Sequence, residues 1–535
     1  MLFGYILRKL RFLGRSLKNL GNEEDSTQNE NSDKLSGSLK KNLKALQATL
    51  VHSTDIKVHS LRFGQNNAYS GAFVFIDGLV DNLIITESIL RPIKEWHAGD
   101  EAESENNLID ILEKEVFCAA TAKNVKTMPE LAAGCLGGDT VLLVDGFTSA
   151  LILDTKGWDK RNITEPQSET VVRGPREGFT EDLRTNTSLI RRKIRNEKLK
   201  IELLTVGRKT QTGVCLIYLD GVANPSVVET VKQRIEKLDV ESILESGYIE
   251  EYIEDAPFSP FATIGYSEKP DVVASKVLEG RVAIAIDGTP FVLTAPMLFI
   301  ESFQTAEDYY NRPLYSSLVR IIRYIAYIIT IFAPAIYVAV SSFHHELIPT
   351  TLLFTVAKAR EGTPFPIYVE ALIMIFAFEL LREAGVRLPR PVGQAISIVG
   401  ALIMGDAAVS AGIVGAPMVI VIAVTAVAGF LVPSQNDSAS ILRVAVMVPA
   451  AIVGFYGVGL TCLGMLIHLA TLKSFGVPYF DSFGYAKDAQ DALVRMPLWS
   501  MRKRPKGIAQ GDTTRIKPFI PPLRPHDSDV NGSEP

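Results

Sequence analysis

Glu370 and Glu379 lie in the stretch PFPIYVEALIMIFAFELLREAGVR, whose other residues mostly suit a membrane interior. A carboxylate at the centre of a bilayer costs about 2.5–3.5 kcal/mol on insertion scales, and it survives where it meets protein, water or an ion. Nine positions separate the two acids, and at about 100° per residue they project from opposite faces of a helix. One pore stripe cannot hold both. Glu379 precedes Arg382 by three positions, a spacing suited to an ion pair near the helix end. Asp406, in GALIMGDAAVSAG, is the one formal charge between 393 and 433. Three roles are open to Glu370, Glu379, Arg382 and Asp406: structural pairing within a helix bundle, pairing across a subunit interface, or lining an ion path. Charged groups on opposite faces imply that the helix meets protein on both sides, as an oligomer would allow.

Other chemistry is poorly supported. Cys118, Cys135, Cys215 and Cys462 show no CxxC pair and no histidine at ligand spacing, so neither a zinc site nor a disulfide framework is expected. Four apolar runs end in Asp-Gly: FVFIDG (Asp77), VLLVDG (Asp145), LIYLDG (Asp220) and VAIAIDG (Asp287). Such a run resembles the magnesium-binding strand of a nucleotide site, but no GxxxxGK[ST] loop accompanies it, and GRKTQTG at 207–213 has the wrong spacing. Turns at the ends of buried strands are the simpler reading. No enzyme activity, metal or cofactor is expected.

These strands define the organisation of the first half. Helical sequence follows Asp77 and Asp220, whereas a return strand follows Asp145 and Asp287. The order occurs twice, which predicts two similar α/β subdomains at 40–160 and 200–295. Between them, 161–199 reads as a basic connecting region. Thr180 is placed to cap its helix, and Arg173, Arg176, Arg184, Arg191, Arg192 and Arg195 are its cations. Interleaved acids and scarce aromatics argue against nucleic acid; docking to an acidic partner or to the other subdomain fits better. Residues 1–39 combine a cationic amphipathic helix with a polar linker. Its apolar face (Phe3, Ile6, Leu10, Leu13, Leu17, Leu20) suits either lipid or the protein itself.

The second half reverses the pattern. A formal charge of -5 over 535 residues conceals an apolar region at 318–472. An all-α, multi-pass transmembrane domain of four to five spans is predicted over 296–472, with 444–472 as one span. Arginines flanking the first two spans put the soluble half in the cytoplasm. Five full spans would leave the basic, Pro-rich, partly disordered tail at 473–535 on the other side. A re-entrant segment, with 394–414 the suspect, removes that conflict.

Five stretches together resemble the A subunits of the GerA-type spore germination receptors: SETVVRGPREGFTEDLRTNTSLIRRKIRN, DVVASKVLEGRVAIAIDGTPFVLTAP, AEDYYNR, REGTPFPIYVEALIMIFAFELLREAGVRLPRPVGQAISIVGALIMGDAAV and SFGVPYF. The likeness runs from about 55 to 500, and the linker and length look most like the GerK-type branch. The resemblance implies a nutrient germinant receptor in the spore inner membrane. It also implies a permease-like B subunit and a lipoprotein C subunit as partners, and homo-oligomerisation, with a pentamer expected, into a nutrient-gated cation channel. An A-like subunit associated with dipicolinic acid release and a non-conducting scaffold are the alternatives. A secondary transporter would show inverted membrane repeats, and none is found.

Overall fold

The computed structural model describes residues 34–96, 105–117, 122–157, 166, 169–387, 405–480, 491–505 and 507–515. The N-terminal amphipathic segment therefore lies outside the described residues, as does most of the suspected re-entrant segment.

The first sheet contains β1 (Ile56–Phe63), β2 (Tyr69–Ile76), β3 (Ala122–Val125), β4 (Thr140–Val144) and β5 (Ala150–Leu153), in the order β1-β2-β4-β5-β3. Helix α1 (Leu39–Thr49) precedes it, and α2 (Met128–Gly137) joins β3 to β4. Every neighbouring pair is antiparallel. Val141 and Leu143 of β4 face a core shared with α1 and α2, while Leu142 and Val144 face the helical segments over 82–95 and 105–116. Cover on both faces explains why the run is apolar without alternation.

The second sheet repeats this plan. Helix α3 (Leu183–Lys193) precedes β6 (Leu199–Val206) and β7 (Thr212–Leu219). Helices α4 (Pro225–Glu236) and α5 (Ser246–Ile253) lead to β8 (Gly265–Ser267). Helix α6 (Pro270–Leu278) then precedes β9 (Val282–Ile286) and β10 (Val292–Ala295). The order is β6-β7-β9-β10-β8, again antiparallel throughout. Gly78, Gly146, Gly221 and Gly288, the glycines of the four Asp-Gly pairs, have φ of 86°, 89°, 78° and 89°. Glycine adopts that left-handed backbone without a Cβ penalty.

The match extends to the helix before each sheet. Asn42 of α1 grips the Ser36 backbone at 3.0 Å and 2.6 Å, and Asn186 of α3 grips that of Thr180 at 2.8 Å and 2.5 Å. Asp145 accepts from the first amide of α1 at 2.8 Å, as Asp287 does from that of α3 at 3.2 Å. The basic helix at 183–193 is thus the first helix of the second repeat rather than a connector. Asp182, not Thr180, caps it, accepting from the Thr185 amide at 2.6 Å. It also forms the seam between repeats. Arg191, 2% exposed, pairs with Asp55 at 2.9 Å, and Arg184 pairs with Asp77 at 2.5 Å.

The helical half contains α7 (Pro313–Phe343), α8 (Thr350–Ala359), α9 (Ile367–Arg387), α10 (Ala416–Gly429), α11 (Asn436–Val453) and α12 (Phe455–Thr471). Among the described residues, two helices are long and apolar enough to cross a bilayer: Pro313–Phe343 and Pro433–Val453. The segment expected as one span over 444–472 is broken. Gly454, with φ 63° and ψ −139°, ends α11 and starts α12, which packs back against it. Both open ends of this hairpin reach the second repeat. Gln435 Nε2 donates to Ser302 Oγ at 2.6 Å, and Ser259 Oγ lies 2.8 Å from His468 Nε2.

The chain beyond α12 stays with that repeat. Strands β11 (Lys473–Ser474) and β12 (Val477–Pro478) bring Phe475 and Val477 into its core, and Ile508 is buried there too. Ala509 bridges to Ala223, and Arg504 donates to the Leu278 carbonyl at 2.9 Å. From 473 to 515, the described part of the tail is therefore built into the soluble half. Breaking the last apolar segment at Gly454 brings the chain back to the second repeat.

Candidate functional site

Helix α9 carries its acids on opposite sides, as their spacing requires. Glu370, 1% exposed, pairs with Arg360 at 3.2 Å and accepts from the Gly415 amide at 3.1 Å. It thereby ties the end of α8 to the entry of α10. Glu379 points to the other side. Arg382 lies 2.7 Å from one of its oxygens and Arg443 of α11 lies 3.2 Å from the other. Ser440 donates to the second oxygen at 3.1 Å, and Arg382 donates to the Ser440 hydroxyl at 3.2 Å. Arg443, 3% exposed, also donates from Nε to the Thr330 carbonyl of α7 at 3.0 Å. Three helices therefore meet at Glu379.

Both charged faces of α9 are satisfied within one chain. These charges do not by themselves require an oligomer: their partners are Arg360, Gly415, Ser440 and Arg443. Asp406 differs. It sits in a helical stretch over 405–410, is exposed, and has no paired cation among the described residues. The four candidate residues thus fall into an Arg360–Glu370 pair, a Glu379–Arg382–Arg443 cluster and a separate Asp406.

A second charged cluster joins the soluble and helical halves. Arg320, in the early turns of α7, is fully buried between Asp308 at 3.1 Å and Asp491 at 2.9 Å. Arg323 reaches the same Asp308 at 2.9 Å, and Tyr309 donates to Asp491 at 2.8 Å. Burial, and then the Asp491 carboxylate, push the Tyr309 phenol up. Glu301 lies close by in sequence. Its burial favours protonation, but Arg281 at 2.8 Å and Lys276 at 3.4 Å outweigh it and hold the carboxyl below its usual range. Arg320 and Arg323 are among the arginines flanking the first span that the sequence offers only as positive charge, whereas Asp308 and Asp491 neutralise them. Their separation along the chain gives no signal of that meeting.

The family profile described as Bacillus/Clostridium GerA spore germination protein matches residues 44–507. The chain belongs to the GerA family. The GerA match covers most of the first repeat, all of the second, the helical half and much of the tail. Spore germination protein KA of Bacillus subtilis (strain 168) is 44% identical over 90% of this chain and 88% of that protein. The uncharacterized membrane protein YfkQ of the same organism is 44% identical over 90% of this chain and 94% of that protein. Among solved structures, the N-terminal domain of the A subunit of the Bacillus megaterium spore germinant receptor GerK3 is 34% identical. That comparison covers 50% of this chain and 97% of the other, with a TM-score of 0.40. GerA membership agrees with the resemblance read from the sequence.

Proposed function

We propose that this chain is the A subunit of a nutrient germinant receptor in the spore inner membrane, and that copies of it assemble into a nutrient-gated cation channel. A permease-like B subunit and a lipoprotein C subunit complete the receptor. The role is not enzymatic, and the soluble half lies on the cytoplasmic, core side. Family membership supports the receptor role.

The surface of the helical half supports the membrane. Ile325, Phe376, Leu380, Ile420, Ile452 and Ile467 are exposed there, while Glu370, Arg320 and Arg443 are buried. A water-soluble domain inverts that arrangement. The observation that carries the channel reading is Asp406: an exposed carboxylate on the apolar half, with no cation bound to it among the described residues. At membrane depth such a group persists beside water, an ion or another subunit. Glu370 and Glu379, already paired, serve the bundle.

Spores carrying Asp406→Asn test this. Normal receptor level with altered cation release after nutrient addition is the expected result. Wild-type release at normal receptor level removes Asp406 from the path and leaves it an interfacial charge.

A further inference from the structure

A polar cleft of about 640 Å³ opens where α12 ends, between that helix and the second repeat. Thr471 and Lys473 line one side, and Ser226, Thr230, Arg234 and Asp255 line the other. The back wall is fixed. Arg234 pairs with Asp255 at 2.5 Å and lies 4.8 Å over the Phe475 ring, while the second Asp255 oxygen accepts from the Phe475 amide. Asp255 thus offsets Arg234. Lys473 is exposed at the mouth, with no acid paired to it among the described residues. Among the described residues, the cleft therefore holds one uncompensated positive charge.

Its depth follows from α12. Leu463, Leu466 and Ile467 are exposed and apolar, and Thr471 ends the helix one turn later. Lys473 then falls where an apolar surface gives way to a polar one. Phe258, fully exposed, projects from the neighbouring loop. That loop is pinned to α12 by the Ser259–His468 contact at 2.8 Å and by Phe261 stacked on His468 at 6.1 Å. An exposed ring on the loop that begins at the cleft-lining Asp255 and Ala256, and a cation just past the end of an apolar helix, match the boundary between acyl chains and headgroups.

We infer that this cleft holds the headgroup of an acidic phospholipid. Lys473 takes the phosphate at the mouth, Arg234 faces it from the back wall, and Phe258 inserts beside the acyl chains. The inference rests on the membrane reading above. Because the cleft is shared by α12 and the second repeat, a bound lipid links the soluble half to the hairpin.

The test uses the full chain in nanodiscs of phosphatidylcholine with and without phosphatidylglycerol. Native mass spectrometry counts retained phosphatidylglycerol, and thermal unfolding reads its effect. Lys473→Ala should retain about fivefold less of that lipid, the effect of one basic residue at a membrane surface. Lys473→Arg should retain it as wild type does, which separates lost charge from misfolding. Phosphatidylglycerol should raise the unfolding midpoint of wild type, whereas inorganic phosphate in phosphatidylcholine nanodiscs should not. Unchanged lipid retention in Lys473→Ala overturns the inference, and so does a rise produced by phosphate alone. A folded chain that fails to enter nanodiscs overturns the membrane reading, and this inference with it.

Discussion

Glu379 is the residue on which three helices converge, and its environment predicts an order of mutational effects. Glu379→Gln leaves Arg443 buried without its carboxylate, a change that costs about 3–5 kcal/mol when a buried pair loses one member. Arg382→Ala should cost least, because Arg443 still neutralises the acid. The double change Glu379→Gln with Arg443→Met should recover part of the single loss. Thermal unfolding of the purified variants checks this, and strictly additive losses would contradict the cluster. The Glu379–Arg382 spacing was legible in the sequence because both lie on one helix. Arg443 was not, since it sits just ahead of an apolar run on a helix whose placement depends on tertiary packing. For the same reason, Arg360 could not be assigned to Glu370.

At the scale of elements, the Asp-Gly turns marked β2, β4, β7 and β9 because a buried strand and a positive-φ glycine each leave a local signature. The edge strands β1 and β6 alternate with polar residues and left a weaker one. Helix α3 carries so many cations that it read as a linker. The contacts that make it the counterpart of α1, Asn186 to Thr180 and Asp287 to its first amide, join residues separated along the chain. Gly454 shows the opposite limit: several glycines in one apolar run look alike, yet only some are constrained. A Cβ at Gly454 would meet His344 at 2.8 Å and Phe343 at 3.0 Å, whereas at Gly464 it meets nothing within 4 Å. Gly454→Ala should therefore cost about 1–3 kcal/mol, the scale of backbone strain at such a position, and lower receptor levels in the membrane. Gly464→Ala should leave both stability and level unchanged. Equal effects at the two sites, measured by unfolding and quantitative blotting, would rule out Gly454 as the corner of the hairpin.

Across the whole molecule, the second repeat is the common anchor. The segment just after β10 holds the start of α11 through Ser302, and the repeat holds the end of α12 through Ser259 and the chain after α12 through its own core. The buried Asp308–Arg320–Asp491 cluster fastens the start of α7 just beyond it. A displacement of this repeat would be transmitted to several helices together, which suits the receptor role proposed above. The direct measurement is ionic current across a planar bilayer containing the assembled receptor, with and without this chain. A cation-selective current that appears on nutrient addition and requires this chain is the predicted result; no current, or the same current without the chain, would contradict it.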